Sequence, residues 1–165
     1  MKVRIATIKE LEQWWDKKIA KQPNNPAYKE WKYNFVNGNK TGERKTFFLF
    51  DENEEYVGQG TLLLKSNDKI MTGENKAEII KFEINPEHRG KGFCSLIFRE
   101  IEKYAKENNI KTLTIGVEPC EIRNMQIYFH WGFMNYLQCV TETFPPREEG
   151  GEGEVITVLC YSKDI

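Results

Sequence analysis

A chain of 165 residues fits one compact domain spanning residues 1–165 and leaves little room for a second. At 39% hydrophobic and 13% aromatic residues it can bury a sizeable core, which excludes a disordered tail. With 24 Lys plus Arg against 25 Asp plus Glu, the net charge of −1 argues against a nucleic-acid or membrane-surface binder, which would show a basic excess.

Lys2 to Thr7 alternates polar and apolar residues and predicts a first strand. From Lys9 to Gln22, the residues Leu11, Trp14, Trp15 and Ile19 recur at helical spacing, and Pro23 stops that helix. Asn25 reads as an N-cap and Pro26 as a first-turn proline. The stripe Tyr28, Trp31, Phe35 and Val36 then predicts a helix ending at Gly38, with Asn37-Gly38-Asn39 as a turn. Arg44 to Phe50 and Tyr56 to Lys65 read as a hairpin joined by a polar loop, and Lys76 to Asn85 as a further strand closed by Pro86. Gly92 to Asn109 carries one apolar helical face, with Asn108-Asn109 at its C-cap. Lys111 to Val117 reads as a buried strand and Ile122 to Trp131 as a short helix ended by Gly132. Two strands, Phe133 to Phe144 and Glu154 to Tyr161, complete the chain. This order mixes hairpins with one strand–helix–strand unit, so the expected fold is α/β (α+β), a mixed sheet with helices on both faces.

Cys94, Cys120, Cys139 and Cys160 contain no C-x₂-C pair, and only His88 and His130 could assist them. No structural metal is expected. No stretch reaches the about 18 apolar residues of a membrane span, and the first residues, MKVRIATIKELEQWW, include no apolar export segment. Free thiols without such a segment predict a cytoplasmic protein.

The informative segment is residues 81–109, where a strand gives way through Pro86 to a glycine-containing loop and a long amphipathic helix. Glycines let successive N–H groups converge, and the helix N-terminus adds its dipole, so such a place suits phosphate. Arg89 and Lys91 add positive charge there. The dinucleotide fingerprint G-x-G-x-x-G is not met, because Ser95 or Leu96 stands where its third glycine belongs. Gly38-Asn39-Lys40-Thr41 only imitates the tail of a nucleotide-triphosphate loop, since Asn39 separates glycine from lysine.

Arg89-Gly90-Lys91-Gly92-Phe93-Cys94 resembles the signature of the GCN5-related N-acetyltransferase (GNAT) superfamily at Arg89 and Gly92, departing at Cys94 where a small residue is usual. Tyr128-Phe129-His130-Trp131-Gly132-Phe133 resembles the same superfamily's Tyr-x-x-x-Gly-Phe. The asparagine often found seven residues before that tyrosine is absent, Glu121 standing there, and Asn124 is nearby but out of register. The resemblance spans residues 77–133. It implies a mostly antiparallel twisted sheet of about seven strands and acetyl-coenzyme A as acetyl donor. It further implies that the amides of Arg89, Gly90, Lys91, Gly92, Phe93, Cys94 and Ser95 hold the pyrophosphate, with Asn124 counted among the coenzyme-binding residues. Main-chain groups of Phe82, Glu83 and Ile84 would pair with the pantetheine arm like an added strand. One of their N–H groups would face the thioester oxygen.

Acetyl transfer to an amine calls for a base to neutralise an ammonium of pKa near 10 and an acid beside the departing sulfur. The resemblance places Tyr128 as the acid. For the base, strand alternation puts Glu78, Ile80, Phe82 and Ile84 on one side and Glu83 on the other, unless a bulge resets the parity. A carboxylate among apolar neighbours needs a cleft or a partner, which makes Glu78 the candidate, with Glu83 and Glu118 behind it.

The expected activity is direct transfer from acetyl-coenzyme A to a primary amine, with no metal and no nucleic acid or membrane partner. The acceptor would be a small cationic amine such as a polyamine or aminoglycoside-like antibiotic, or a peptide amine. The loop Pro145 to Glu154, with four glutamates against Arg147, could attract such cations. Trp14, Trp15, Tyr28, Trp31 and Tyr33 could wall the acceptor site or simply pack as core. A homodimer is compatible with the resemblance. The competing class is a non-catalytic acyl-coenzyme A sensor on the same scaffold. A covalent acetyl-cysteine route through Cys94 or Cys120 lacks a histidine–acid pair nearby in sequence.

Overall fold

The structure, a computed structural model, describes residues 1–146 and 150–165, so Arg147, Glu148 and Glu149 of the acidic loop lie outside the described residues. Seven strands, β1 (Lys2–Ile5), β2 (Arg44–Phe50), β3 (Tyr56–Leu63), β4 (Lys76–Ile84), β5 (Thr112–Val117), β6 (Asn135–Phe144) and β7 (Glu154–Asp164), form one sheet in the order β1-β2-β3-β4-β5-β7-β6. Every neighbouring pair is antiparallel except β4 with β5. The helices are α1 (Ile8–Lys21), α2 (Pro26–Thr41), α3 (Phe93–Glu107) and α4 (Ile122–His130).

Alternation along β2 divides the core in two. Phe47 and Leu49 join Ile79, Ile97, Ile101, Leu113 and Phe133 beneath α3, and Ile127 and Tyr128 of α4 pack on the same cluster. Phe48 and Phe50 join Leu11, Trp14, Trp15, Phe35 and Val36 beneath α1 and α2. A period-two strand between two apolar helix layers gives this division, because successive side chains leave opposite faces.

Local chemistry sets the helix ends. Thr7 and Glu10 form a reciprocal capping box at α1, with the Thr7 amide donating to Glu10 Oε2 at 2.8 Å, and Arg4 forks onto the same carboxylate. Asn25 caps α2 by accepting from the Ala27 amide at 3.1 Å. The expected stop at Gly38 is wrong: α2 runs on to Thr41 and ends at Gly42 in the left-handed region, φ +83°. Gly38 answers a packing demand instead, since a Cβ there would lie 2.8 Å from Arg44 Cδ. Asn39 belongs to the helix as well, its amide donating to the Phe35 carbonyl and to Thr46 Oγ1. The other expected elements appear with ends shifted by up to three residues.

Two features of β4 position the site. Its ladder with β5 covers only Lys76–Ile79 against Thr112–Ile115, so the two strands part beyond Ile79. Against β3 the register slips, Gln59 facing Glu83 but Thr61 facing Ile80. The extra residue is accommodated at Lys81, which takes φ +55°.

Candidate active site

Where β4 ends, Pro86–His88 forms one 3₁₀ turn and the chain crosses Gly90 (φ +77°) and Gly92 (φ +75°) to enter α3. Gly92 is the N-cap of α3 without a side-chain cap, and a Cβ at Gly92 would meet nothing within 4 Å. Left-handed glycines at an uncapped helix N-terminus leave backbone donors pointing outward, a geometry that suits an anion. This loop forms one wall of a 760 Å³ cavity whose opposite wall is α4, with Arg123, Asn124, Ile127 and Tyr128. Phe82 and Ile84 of β4, together with Trp131, line it too. Trp131 stacks flat on Phe98 at 4.4 Å between ring centres, and its indole N–H donates to Ser95 Oγ at 3.2 Å, tying α4 to the start of α3. Arg89 folds back so that its Nε donates to the Ile84 carbonyl at 3.0 Å.

The bulge at Lys81 overturns the expected parity of β4. Ile80 packs with the α1/α2 cluster, whereas Phe82 and Ile84 pack with the α3 cluster. Glu78 and Ile80 therefore share a face with Lys81 and Glu83, and the placing of Glu83 opposite Glu78 is corrected. Glu83 is taken up by an ion pair, accepting from Lys18 Nζ at 2.5 Å with Lys81 Nζ 3.6 Å away. Those two lysines hold its carboxyl below the usual range in spite of burial.

On the α1/α2 side of the splay lies a second cavity of 600 Å³. Trp15, Trp31, Phe35 and Phe144 give it aromatic walls, and Trp31 meets Phe144 edge-on at 6.3 Å, joining α2 to the end of β6. Five carboxylates, Glu30, Glu78, Glu118, Glu121 and Glu142, and two cations, Arg44 and Lys81, line it among the described residues. Burial lifts the Glu78 carboxyl to about 7; Glu142 and Asp68 add to the shift, and Arg44 opposes it. Burial likewise raises Glu142 and lowers Lys81.

Tyr128, Phe82 and Glu121 line both cavities and so mark their junction. Burial first, then Glu121 and Cys94, pushes the Tyr128 hydroxyl up to about 12. Of the residues predicted from sequence, Phe82, Glu83, Ile84, Arg89, Gly90, Gly92, Phe93, Cys94, Ser95, Asn124 and Tyr128 meet at the first cavity. Glu78 lies in the second, and Lys91 is exposed and lines neither. Sequence reasoning missed Arg123, Lys81, Arg44 and Glu142. The adjacency of Arg123 to Asn124 was a usable signal for the first. A charge on a strand ordinarily reads as solvent-facing, so the other three gave none. The four cysteines are free, and among the described residues no group of three or more His, Cys, Asp or Glu side chains is arranged to hold a metal. Among them, too, no helix is long and apolar enough to cross a membrane.

The family model of the acetyltransferase (GNAT) family matches residues 6–133. No curated protein matches the chain. Among solved structures, a ribosomal-protein-alanine N-acetyltransferase from Brucella melitensis superposes with a TM-score of 0.71 at 16% identity, covering 100% of both chains. An N-acetyltransferase from Staphylococcus aureus Mu50 gives 0.68 at 16%, covering 99% of this chain and 97% of its own. A GNAT superfamily phosphinothricin acetyltransferase from Sinorhizobium meliloti, solved with acetyl-CoA, gives 0.69 at 14%, covering 99% and 88%. At these identities the likeness is one of fold.

Proposed function

The chain belongs to the acetyltransferase (GNAT) family, and from that premise we propose that it moves the acetyl group of acetyl-CoA directly to a primary amine across the junction of its two cavities. The observation that carries the reading is the position of Tyr128, which faces the glycine-loop cavity on one side and the carboxylate-lined cavity on the other.

The first cavity fits the donor. Gly92 leaves open space beside uncapped amides at a helix N-terminus, where a pyrophosphate gains from converging N–H groups and the helix dipole. Arg123, whose guanidinium would come within 3.9 Å of a Cβ on Gly90, adds a full charge there. Beyond Ile79 the β5-facing edge of β4 leaves its ladder, so main-chain groups around Phe82 can receive an extended arm and face the thioester oxygen, while the Ile84 carbonyl is already taken by Arg89.

The second cavity takes the acceptor. Most amines arrive protonated, with pKa near 10. Glu78, held near 7 by its surroundings, is ionised often enough at neutral pH to accept a proton, and basic enough to want one. Tyr128 stays protonated throughout that range and donates its hydroxyl hydrogen toward the departing sulfur. Glu118, Glu121 and Glu142 favour a cationic amine over a neutral nucleophile.

Thiol release from acetyl-CoA in the presence of a panel of primary amines tests this. The expected result is amine-dependent release, with Tyr128→Phe lowering kcat roughly 10²-fold or more while the coenzyme still raises the melting temperature. Release that is equal in Tyr128→Phe removes the tyrosine from the chemistry, and release with no amine removes the reading.

A further inference from the structure

We propose that the acceptor is a zwitterion, carrying a carboxylate a few atoms from its reacting amine, and that Arg44 with Lys81 forms the site for that carboxylate. This rests on the acetyl-transfer reading above and narrows its acceptor.

The acceptor cavity carries charges of both signs. Arg44 from β2 and Lys81 from β4 lie on the same sheet face as Glu78, with Glu30 on α2, Glu118 and Glu121 after β5 and Glu142 on β6 completing the charged lining. The five carboxylates draw a cationic amine, and the two cations set among them suit an anionic group on the same molecule.

Arg44 is a built feature. Its stem passes over Gly38, where only a missing side chain leaves room, and its guanidinium lies 4.6 Å from the centre of the Phe35 ring. Burial pulls its pKa down, and Glu43 and Glu78 act on it electrostatically. Yet no described residue forms an ion pair or side-chain hydrogen bond with it. A partly buried guanidinium without a partner is costly on its own. Its planar fork matches one carboxylate bidentately.

Lys81 adds a second unusual placement. It holds a left-handed φ of +55° that non-glycine residues rarely adopt. That conformation sets its ammonium 5.6–5.8 Å from the rings of Trp14, Trp15 and Trp31. Glu83, at 3.6 Å, is itself bonded to Lys18, so the three-residue cluster keeps a net positive charge beside the cavity. The indole N–H of Trp15, buried in the same wall, has no partner.

The geometry also fixes what lies next to the anion. Arg44 faces Leu63, and Leu63 faces Glu78, so the guanidinium and the candidate base stand in one row across three strands. Two strand spacings are about 10 Å at the backbone, a gap that two long side chains narrow. An acceptor bound by its carboxylate at Arg44 thus presents an amine on a neighbouring carbon to Glu78.

The test compares matched acceptors in the thiol-release assay: phenylalanine with phenethylamine, methionine with 3-(methylthio)propylamine, arginine with agmatine, and lysine with cadaverine. The readout is the ratio of kcat/KM within each pair. The expected ratio favours the carboxylate-bearing member in at least one pair by roughly tenfold or more, the effect of one charge-assisted hydrogen bond. In Arg44→Gln that ratio falls toward one, through KM of the carboxylate-bearing member. Gly38→Ala pushes the Arg44 stem aside and shifts the ratio in the same direction, which separates positioning of the guanidinium from loss of the fold. A ratio at or below one in every pair of the unaltered protein overturns the proposal. So does a ratio unchanged in Arg44→Gln while the coenzyme still protects that variant in a melt. Thiol release with no amine at all overturns the acetyl-transfer reading itself, and this proposal with it.

Discussion

Glu78 lines a cavity, while the face assigned to its strand neighbours is corrected by the structure. Its expected same-face neighbours Ile80, Phe82 and Ile84 pointed to a carboxylate needing a cleft or a partner, and Glu78 lines a cavity although only Ile80 of the three shares its face. The reasoning that grouped it with Phe82 fails because Lys81 inserts an extra residue, and no feature of KAEIIKFEI announces a left-handed lysine. With its carboxyl lifted to about 7 chiefly by burial, Glu78 keeps a proton in the folded chain that the unfolded chain has already lost. Its contribution to stability is complete below the ordinary carboxylate value and is lost as pH rises through 7. Glu78→Gln is therefore expected to gain on the unaltered protein between pH 4 and pH 8 by on the order of 1–3 kcal/mol. As candidate base, Glu78 also predicts a rate that climbs through pH 7. In Glu78→Gln that limb should vanish and the rate should rise instead toward the acceptor's own pKa. Thermal melts and pH–rate profiles of the pair check both, and superimposable profiles would remove Glu78 from proton transfer. Tyr128 was legible for a different reason, its place in Tyr-x-x-x-Gly-Phe. Arg44 was not, because a strand's first residue gives no sign that a glycine six positions earlier clears its path.

The loop from Asn85 into α3 is the element on which the proposed donor binding turns. Its sequence announced itself, since proline, two glycines and an amphipathic helix each carry their own backbone meaning. The end of α2 was misread by the same vocabulary: Asn37-Gly38-Asn39 has turn composition, yet tertiary packing of Arg44 on Phe35 and the bonds of Asn39 keep it helical. Composition could not separate a glycine needed for its φ from one needed for its missing Cβ. That distinction makes a prediction at Gly92, where φ is +75° and the space beside it is open. In Gly92→Val, strain and a β-branched side chain fall together on the proposed pyrophosphate cradle. The expected result is a loss of the coenzyme-induced rise in melting temperature, with the uncomplexed melt lowered by an amount matching about 1–3 kcal/mol. An undiminished coenzyme shift would place the donor elsewhere.

At the scale of the molecule, two cavities meet where a parallel pair of strands parts in an otherwise antiparallel sheet. The mixed sheet and its two helix layers could be read from periodicity, because alternating strands and striped helices record which face is buried. The strand order could not, nor could the position of β7 between β5 and β6, since pairing is a long-range choice no local pattern encodes. The proposed acceptor cavity was correspondingly the least legible part, being assembled from α1, α2, α4 and strands β2, β4, β5, β6 and β7. Its aromatic wall was anticipated only as a set of residues that core packing would equally use. The proposed chemistry requires the donor to lie along the first cavity with its reactive end at Tyr128. A crystal structure of the complex with acetyl-CoA tests it most directly. The expected complex has the pyrophosphate against the amides between Gly90 and Ser95, and the sulfur within hydrogen-bonding reach of the Tyr128 hydroxyl. A coenzyme bound with its pyrophosphate away from that loop, or its sulfur on the far side of α4, would contradict it.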